Sequence, residues 1–246
     1  MSDVSIDGLP ASGAPFRVGV VLSKTFSVFG SKLGSFLLLA FIPLIPVLAV
    51  TLMAPTGPPA PGAAVWSGLS GLLGFVLGVV AQATTLYGAF QQMGGKPFSI
   101  AQSLSVGLRR SLPVFGVALL AGLGTSLAAM LFLVPGIIVA CMLYVAVPSC
   151  VIEKMGVMAS LNRSALLTRG YRWQIFGLLA LVTFIVLIAQ FVLTWFGGPT
   201  LWGKLLTFCW LVITTSFGAV LAAVVYHDLR VAKEGIDIDN LANVFD

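Results

Sequence analysis

The sequence contains one histidine, His227, which stands directly before Asp228. A histidine beside a carboxylate can act as a general base because its ordinary pKa lies near neutral pH. Hydrolysis or group transfer would also need a second acid or base, or a nucleophile presented on a tight turn. The sequence shows no such partner for His227. We therefore expect a structural histidine, no catalytic residue and no enzyme activity.

The cysteines offer no clearer chemistry. Cys141, Cys150 and Cys209 all lie within apolar runs, and no CxxC pair is present. Zinc sites and disulfide frameworks are recognised by closely and regularly spaced cysteines, which this chain lacks. The three residues are expected to be small packing residues, and the sequence predicts neither a metal site nor a cofactor.

Polar side chains inside apolar runs form a second group of candidates, namely Gln82, Gln190 and Thr215, the last within the cluster Thr214–Ser216. In a membrane, such groups either hydrogen-bond between helices or line a path for a solute. Helix-to-helix hydrogen bonding is favoured for Gln82, although all of these residues could line a path for a neutral solute. Ion or proton coupling is disfavoured, because no ionisable residue lies inside an apolar run.

Arginines beside the ends of the apolar runs are the third group. They could contact lipid headgroups or a protein partner, or they could serve only membrane insertion and topology. Glu153 is expected to pair with one of them. The candidate contacts are Arg109, Arg110, Arg163, Arg169 and Arg172.

The composition indicates that these residues are positioned by a membrane protein. Hydrophobic residues make up 59% and charged residues 9% of the 246 residues, and the mean hydropathy is +1.07. Soluble domains carry roughly 25% charged residues. Continuous apolar runs such as 37–53 favour helices over barrel strands, which alternate apolar and polar residues. The net charge is +5, but the sequence has no basic arm with interleaved aromatic residues of the kind that binds nucleic acid. No nucleic-acid partner is therefore expected.

The apolar runs predict an all-α integral membrane protein with six transmembrane helices in three hairpins. Each hairpin is predicted to follow an amphipathic interfacial helix on the cytoplasmic side, at about 16–30, 98–110 and 156–170. Together these units suggest a faint internal repeat in one orientation. Pro43 and Pro46 are expected to kink the first span or interrupt its hydrogen bonds. The spans are predicted at 33–53, 65–90, 112–133, 136–151, 174–195 and 205–226.

Two more detailed expectations concern helix faces. In the third amphipathic helix, Val157, Met158, Leu161 and Ala165 are predicted to form the apolar side. Small residues in two spans are expected to let neighbouring helices approach closely. These small residues are Ser67, Gly71, Gly74, Gly78 and Ala81 in the second span and Ala118, Gly122, Ser126 and Ala129 in the third.

The ends of the chain are polar. Residues 1–15 are rich in Gly, Ser and Pro and are predicted to be a disordered tail, without a visible signal peptide. The segment 54–64 is predicted to be an extended connector. Residues 16–230 are assigned to the six-span membrane domain, and residues 231–246 are expected to be an acidic cytoplasmic tail.

The cations predict the orientation. In the six-span arrangement, Lys204 lies on one side of the membrane and the other twelve lysines and arginines lie on the opposite side. Because positive residues are retained in the cytoplasm, both termini are expected there, in a bacterial cytoplasmic membrane. Aromatic residues are predicted at both boundaries. These are Trp66, Trp195 and Trp202 on the far side and Tyr87, Trp173 and Tyr226 on the cytoplasmic side.

Two segments carry a resemblance to a known family. They are LVPGIIVACMLYVAVPSCVIEKMGVMASLNRSALLTRGYRWQIFGLLAL and VVYHDLRVAKEG, at residues 133–181 and 224–235. In them the chain resembles the bacterial glycerophosphoryl diester phosphodiesterase membrane-domain family and the related YciC-like inner-membrane proteins of unknown function. The resemblance implies a helical membrane domain, which in some relatives is joined to a soluble phosphodiesterase domain. The acid-base histidines and metal-binding carboxylates of such a hydrolase are not found here.

The function expected from the sequence is therefore non-catalytic. We expect a scaffold or accessory factor in contact with membrane lipids, which binds anionic lipid, a membrane protein complex or further copies of itself. The alternative expectation is a transporter or channel for a neutral or lipid-like solute.

Overall fold

The structure, a computed structural model, describes residues 16–54, 63–95, 98–198 and 200–234. All regular secondary structure in these ranges is helical. The predicted disordered tail, most of the 54–64 connector and residues 235–246 lie outside the described residues. The helices are α1 (Val18–Ser31), α2 (Leu33–Met53), α3 (Ala63–Met93), α4 (Ile100–Leu131), α5 (Leu133–Leu143), α6 (Ala146–Ile152), α7 (Val157–Thr168), α8 (Arg172–Gly197) and α9 (Leu201–Glu234).

Six segments of the described chain are long and apolar enough to cross a membrane. They are α2, α3, α4, the combined α5 and α6, α8 and α9. The prediction of an all-α protein with six such segments is confirmed. The first span agrees to the residue, since α2 covers Leu33–Met53.

Two helices extend past the predicted limits of their spans. The interfacial helix predicted at 98–110 is not separate, because α4 continues from Ile100 to Leu131. Arg109 and Arg110 interrupt the hydropathy but do not break a helix, and Pro113 removes only one backbone donor. Helix α9 likewise continues to Glu234, and its last turn includes residues 231–234, which the sequence assigns to the acidic tail.

The turn between α4 and α5 also differs from the prediction. It lies at Phe132, whose backbone is extended (φ −157°, ψ 148°), and not at 134–136. Pro135 instead lies in the first turn of α5, where its missing N–H leaves no helical bond unmade. The span predicted at 136–151 is interrupted at residues 144–145. Pro148 accounts for this break, because it has no N–H to donate to the carbonyl of Tyr144.

Helix α2 contains both Pro43 and Pro46 and remains one helix. Pro43 leaves the carbonyl of Leu39 without its usual donor four residues later. The hydroxyl of Thr84 on α3 shares its one proton between that carbonyl, at 3.1 Å, and the carbonyl of Ala81, at 2.9 Å. A neighbouring helix thus supplies the hydrogen bond that the proline removes.

Helix α9 forms the centre of the bundle. It packs against α1, α2, α3 and α8, and every residue from Ala219 to Tyr226 is buried. Its Ser216 hydroxyl donates to the carbonyl of Phe36 on α2 at 3.1 Å. Helix α8 is peripheral, with Ile175 and Leu178 as its buried residues. Most of its apolar side chains are therefore left to face the surroundings of the bundle.

One predicted small residue, Ala129, lies at a close helix approach, since a β-carbon added to Gly136 would be 2.7 Å from its Cα, but the predicted glycines do not. A β-carbon added to Gly71, Gly74, Gly78 or Gly122 would meet no atom of the described chain within 4 Å. A β-carbon at Gly107 would lie 2.8 Å from the backbone N and Cα of Thr84. The small residue that α3 and α4 require is therefore Gly107, at the level of the Thr84 hydrogen bonds.

The substitution Gly107→Ala is expected to lower the free energy of unfolding by about 1–3 kcal/mol, the usual cost of overpacking. The added methyl group would meet the α3 backbone, which has little room to move. The measurement is the thermal unfolding midpoint of the purified protein in detergent. Gly122→Ala on the same helix is the control, because its methyl group has open space. Equal midpoints for the two variants would contradict the close packing of α3 against α4.

Candidate functional site

Polar and charged residues collect at one end of the bundle. We call this end the basic rim, namely residues 16–32, 91–95, 98–110, 152–172 and 226–234. Lys24 on α1 pairs with Asp228 on α9 at 2.8 Å. Gln91 on α3 donates to Gln102 on α4 at 2.9 Å. These contacts bring the ends of α1, α3, α4 and α9 together.

An ion-pair network fixes α7 to α6 and α9. The Nε of Arg163 donates to both carboxylate oxygens of Glu153, at 3.0 and 3.1 Å, and its Nη2 lies 2.5 Å from Glu234. Glu153 also accepts a hydrogen bond from the hydroxyl of Tyr226. Arg230 completes the network at Glu234, with an N–O distance of 3.2 Å. The expected pairing of Glu153 with a rim arginine is thus observed.

The network has two consequences for its members. Burial alone would lower the pKa of the Arg163 guanidinium, but the hydrogen bonds and charges of Glu153 and Glu234 outweigh burial and raise it. Tyr226 is buried, so it binds Glu153 inside the protein and does not line the membrane boundary as predicted. Two nitrogens of the Arg163 side chain, Nε and Nη2, are therefore engaged by carboxylates.

Helix α7 buries its hydroxyl side. The buried residues are Ser160, Ser164, Leu167 and Thr168, whereas Met158, predicted on the apolar side, is 67% exposed. Ser164 and Thr168 donate to the carbonyl of Met142 at 2.7 and 3.3 Å. Met142 is next to the last residue of α5, where backbone carbonyls lack helical donors. The interruption between α5 and α6 explains why hydroxyl groups face inward here, beside the buried Leu167 and the predicted apolar residues Val157 and Leu161, which pack against the core.

Three cations converge where α7 ends and α8 begins. The charges of Arg169 and Arg172 act on the ammonium group of Lys233, which donates to the carbonyl of Leu166 at 2.6 Å. Arg172 is the first residue of α8, where the helix dipole adds positive potential. Its Nε is buried and has no hydrogen-bond partner among the described residues. We call Arg169, Arg172 and Lys233 the cation cluster, and its charge and unused donor fit an anion.

The basic rim as a whole has more positive than negative charge. The described residues contain three carboxylates, Glu153, Asp228 and Glu234. The lysine and arginine side chains that pair with them are Lys24, Arg163 and Arg230. The other described cations of this end have no carboxylate partner among the described residues. They are Arg17, Lys32, Arg109, Arg110, Lys154, Arg169, Arg172 and Lys233.

The predicted arginine contacts therefore fall into different environments. Arg169 and Arg172 come together, and Lys233, which the sequence did not single out, joins them. Arg109 is exposed, whereas Arg110 is half-buried. The position of Lys233 could have been suspected from helical periodicity, had α9 been extended beyond residue 226.

His227 lies beside the Lys24–Asp228 pair. Its Nδ1 is 3.1 Å from the carboxylate oxygen of Asp228 that also accepts from Lys24. The carboxylate thus joins α1 to α9 while contacting its own neighbour. This arrangement is suited to holding helices together, because Asp228 is already bound by a lysine.

The polar candidates within the spans are not brought together. Gln190 lines a cavity between α2, α8 and α9, together with Thr214 and not with Thr215. Gln82 lies on α3, and the described lining of the cavity does not include it. Lys204 and Trp210 also line this cavity, and nothing in the sequence connects them with Gln190. Only the packing of three helices makes them neighbours.

Comparisons with protein-family models, curated proteins and solved structures return no match for this chain. Function is therefore inferred from the residues and their geometry.

The substitution Arg163→Met is expected to lower the free energy of unfolding by about 2 kcal/mol. It would leave Glu153, whose side chain is 12% exposed, without its cation, and unpaired buried charges are costly. Chemical unfolding in mixed micelles measures this change. Arg109→Met, which removes an exposed cation, is the control and should change stability by less than about 0.5 kcal/mol. The network would be energetically unimportant if both variants unfolded alike.

Proposed function

We propose that this protein is a non-catalytic scaffold or accessory factor of the bacterial cytoplasmic membrane, and that its basic rim binds anionic lipid headgroups. The cation cluster is the observation that carries this proposal. Lys233 reaches the last turn of α7, next to Arg169 at the end of that helix and Arg172 at the start of α8, and the buried Nε of Arg172 has no acceptor among the described residues. An anionic phosphate oxygen supplies both the charge and the acceptor.

The proposed topology consists of three hairpins with both termini in the cytoplasm and with α1 and α7 in the interface. The charge difference between the two ends supports it, because positive residues are retained on the cytoplasmic side. Exposed Trp195 and Trp202 at the end opposite the rim, and exposed Trp173 at the rim, suit the two membrane boundaries. Helix α9 has 34 residues, about 50 Å, which exceeds a hydrocarbon thickness of about 30 Å. Its charged last turns would therefore reach the headgroups.

The chemistry of the headgroup follows from the side chains. Guanidinium groups bind phosphate oxygens through paired N–H donors, and an ammonium group adds a point charge. Near a membrane surface each such cation contributes on the order of 1 kcal/mol of attraction to anionic lipid. A protein complex or further copies of the chain would be bound through the same membrane domain.

The cavity beside Gln190 favours a second candidate, transport of a neutral or lipid-like solute. It is lined by helices that would cross the membrane and contains polar side chains. Uptake of a solute by purified protein in liposomes, lost on Gln190→Leu, would favour transport over the scaffold role.

The topology predicts opposite accessibility for two exposed residues, Asn162 on α7 and Thr200 before α9. Each is changed to cysteine in a protein whose three native cysteines are replaced by alanine. A membrane-impermeant maleimide added to intact spheroplasts should label Thr200→Cys, and should label Asn162→Cys only after the membrane is opened. Labelling of both residues from outside would contradict the proposed orientation.

The lipid proposal predicts selective retention of phosphatidylglycerol. Native mass spectrometry of protein released from nanodiscs with equal phosphatidylglycerol and phosphatidylcholine should show more of the anionic lipid bound. The triple variant Arg169→Gln, Arg172→Gln, Lys233→Gln should retain roughly 100-fold less, because three charge contacts of about 1 kcal/mol each are lost.

The matched control removes the same net charge from scattered positions of the rim, through Arg17→Gln, Lys32→Gln and Lys154→Gln. It should retain most of the phosphatidylglycerol. Equal losses in the two triple variants would show that attraction is diffuse and would refute a site at the cation cluster. Equal retention of both lipids by the unchanged protein would refute the lipid proposal altogether.

A further inference from the structure

A cavity of about 250 Å³ lies between α2, α8 and α9 in the half of the bundle away from the basic rim. Its location follows from Lys204, which lies near the start of α9 and donates to the carbonyl of Ala54 at the end of α2, at 2.5 Å. Val47, Val186 and Phe208 supply an apolar wall. The cavity is thus an apolar space with a cation at one end.

Several polar groups of the cavity have unused hydrogen-bonding capacity. Trp210 lines it, and the indole N–H of this residue is buried without an acceptor among the described residues. The carboxamide of Gln190 also makes no hydrogen bond within the described chain. Lys204 uses one donor on Ala54 and has no carboxylate partner in the described residues. Unsatisfied donors in a dry environment cost free energy, so a ligand with acceptor oxygens would be stabilised here.

The cavity opens towards the apolar surroundings of the bundle. Leu187, one of its lining residues, is 61% exposed, and neighbouring residues of α8 such as Phe184 and Phe191 are also exposed. In a membrane, this surface faces acyl chains. A ligand would therefore enter sideways from the bilayer, and its apolar part would be in contact with lipid before and after binding.

We propose that this cavity binds a single-chain lipid with an oxyanion head, either a carboxylate or a phosphate. The head lies at Lys204, its oxygens accept from Gln190, and the chain follows Val47 and Val186. A volume of 250 Å³ corresponds to about eight water molecules at roughly 30 Å³ each. It accommodates a head group and the first carbons of one chain, and the rest of the chain remains in the bilayer. This site is separate from the cation cluster and does not depend on the lipid binding proposed for the rim.

The test uses the full chain in phosphatidylcholine nanodiscs and three probes with the same oleoyl chain. The probes are oleate, oleoyl lysophosphatidic acid and the uncharged monooleoylglycerol, and saturable binding is measured by native mass spectrometry. At least one anionic probe should bind about tenfold more tightly than monooleoylglycerol. The better of the two identifies the head as carboxylate or phosphate. Equal binding of all three probes, or saturable binding of none, would overturn the proposal.

Variants locate the binding in the cavity. Lys204→Met and Gln190→Leu should each weaken binding of the anionic probe by about tenfold. Gln82→Leu, which removes a span glutamine outside the cavity lining, should leave binding unchanged.

Val186→Trp fills the space without removing a polar group and should abolish saturable binding, so the test does not depend on the folding of the Lys204 variant. A thermal unfolding transition establishes that each variant is folded. Unchanged binding in folded Val186→Trp would overturn the proposal, and the triple variant of the cation cluster should bind the probe normally.

Discussion

The structure depends on one constraint, which is that every polar backbone group within an apolar environment must find its partner inside the protein. Two places show how the chain meets it. The carbonyl of Leu39, released by Pro43, accepts from Thr84 of a neighbouring helix. The carbonyl of Met142, near the interruption between α5 and α6, accepts from Ser164 and Thr168. Hydroxyl groups on adjacent helices therefore allow breaks that would otherwise be too costly, and they determine which helices must be neighbours.

The same constraint explains where charge is found. The carboxylates Glu153, Asp228 and Glu234 all lie at the rim and are all paired. Because they are fewer than the cations around them, positive charge is left over on Arg169, Arg172 and Lys233, close to the start of α8. Structural ion pairs and unpaired cations thus occupy one surface. The ion pairs hold in position the helices that carry the unpaired cations.

Composition and periodicity were sufficient for the class of protein and for most spans, because an apolar run long enough to cross a bilayer has few alternatives. Helix ends were less predictable, since Arg109 and Arg110 lower hydropathy without ending α4. The burial of Ser164 and Thr168 on α7 could not be inferred from apolar spacing, because both hydroxyl groups face a break in another helix. The cation cluster and the cavity depend on distant residues, such as Arg172 with Lys233 and Gln190 with Lys204. Only the tertiary packing brings these residues together.

The central position of α9 has a consequence for biosynthesis. Chains are made from the N-terminus, so α2 and α3 enter the membrane long before residues 219–226 exist to fill the space between them. During that interval the carbonyl of Phe36, which Ser216 later contacts, and the carboxylate of Glu153, which Tyr226 later contacts, lack their final partners. These contacts form only when the thirty-four-residue α9 has been made, so the last helix of the described chain is the one that completes the bundle.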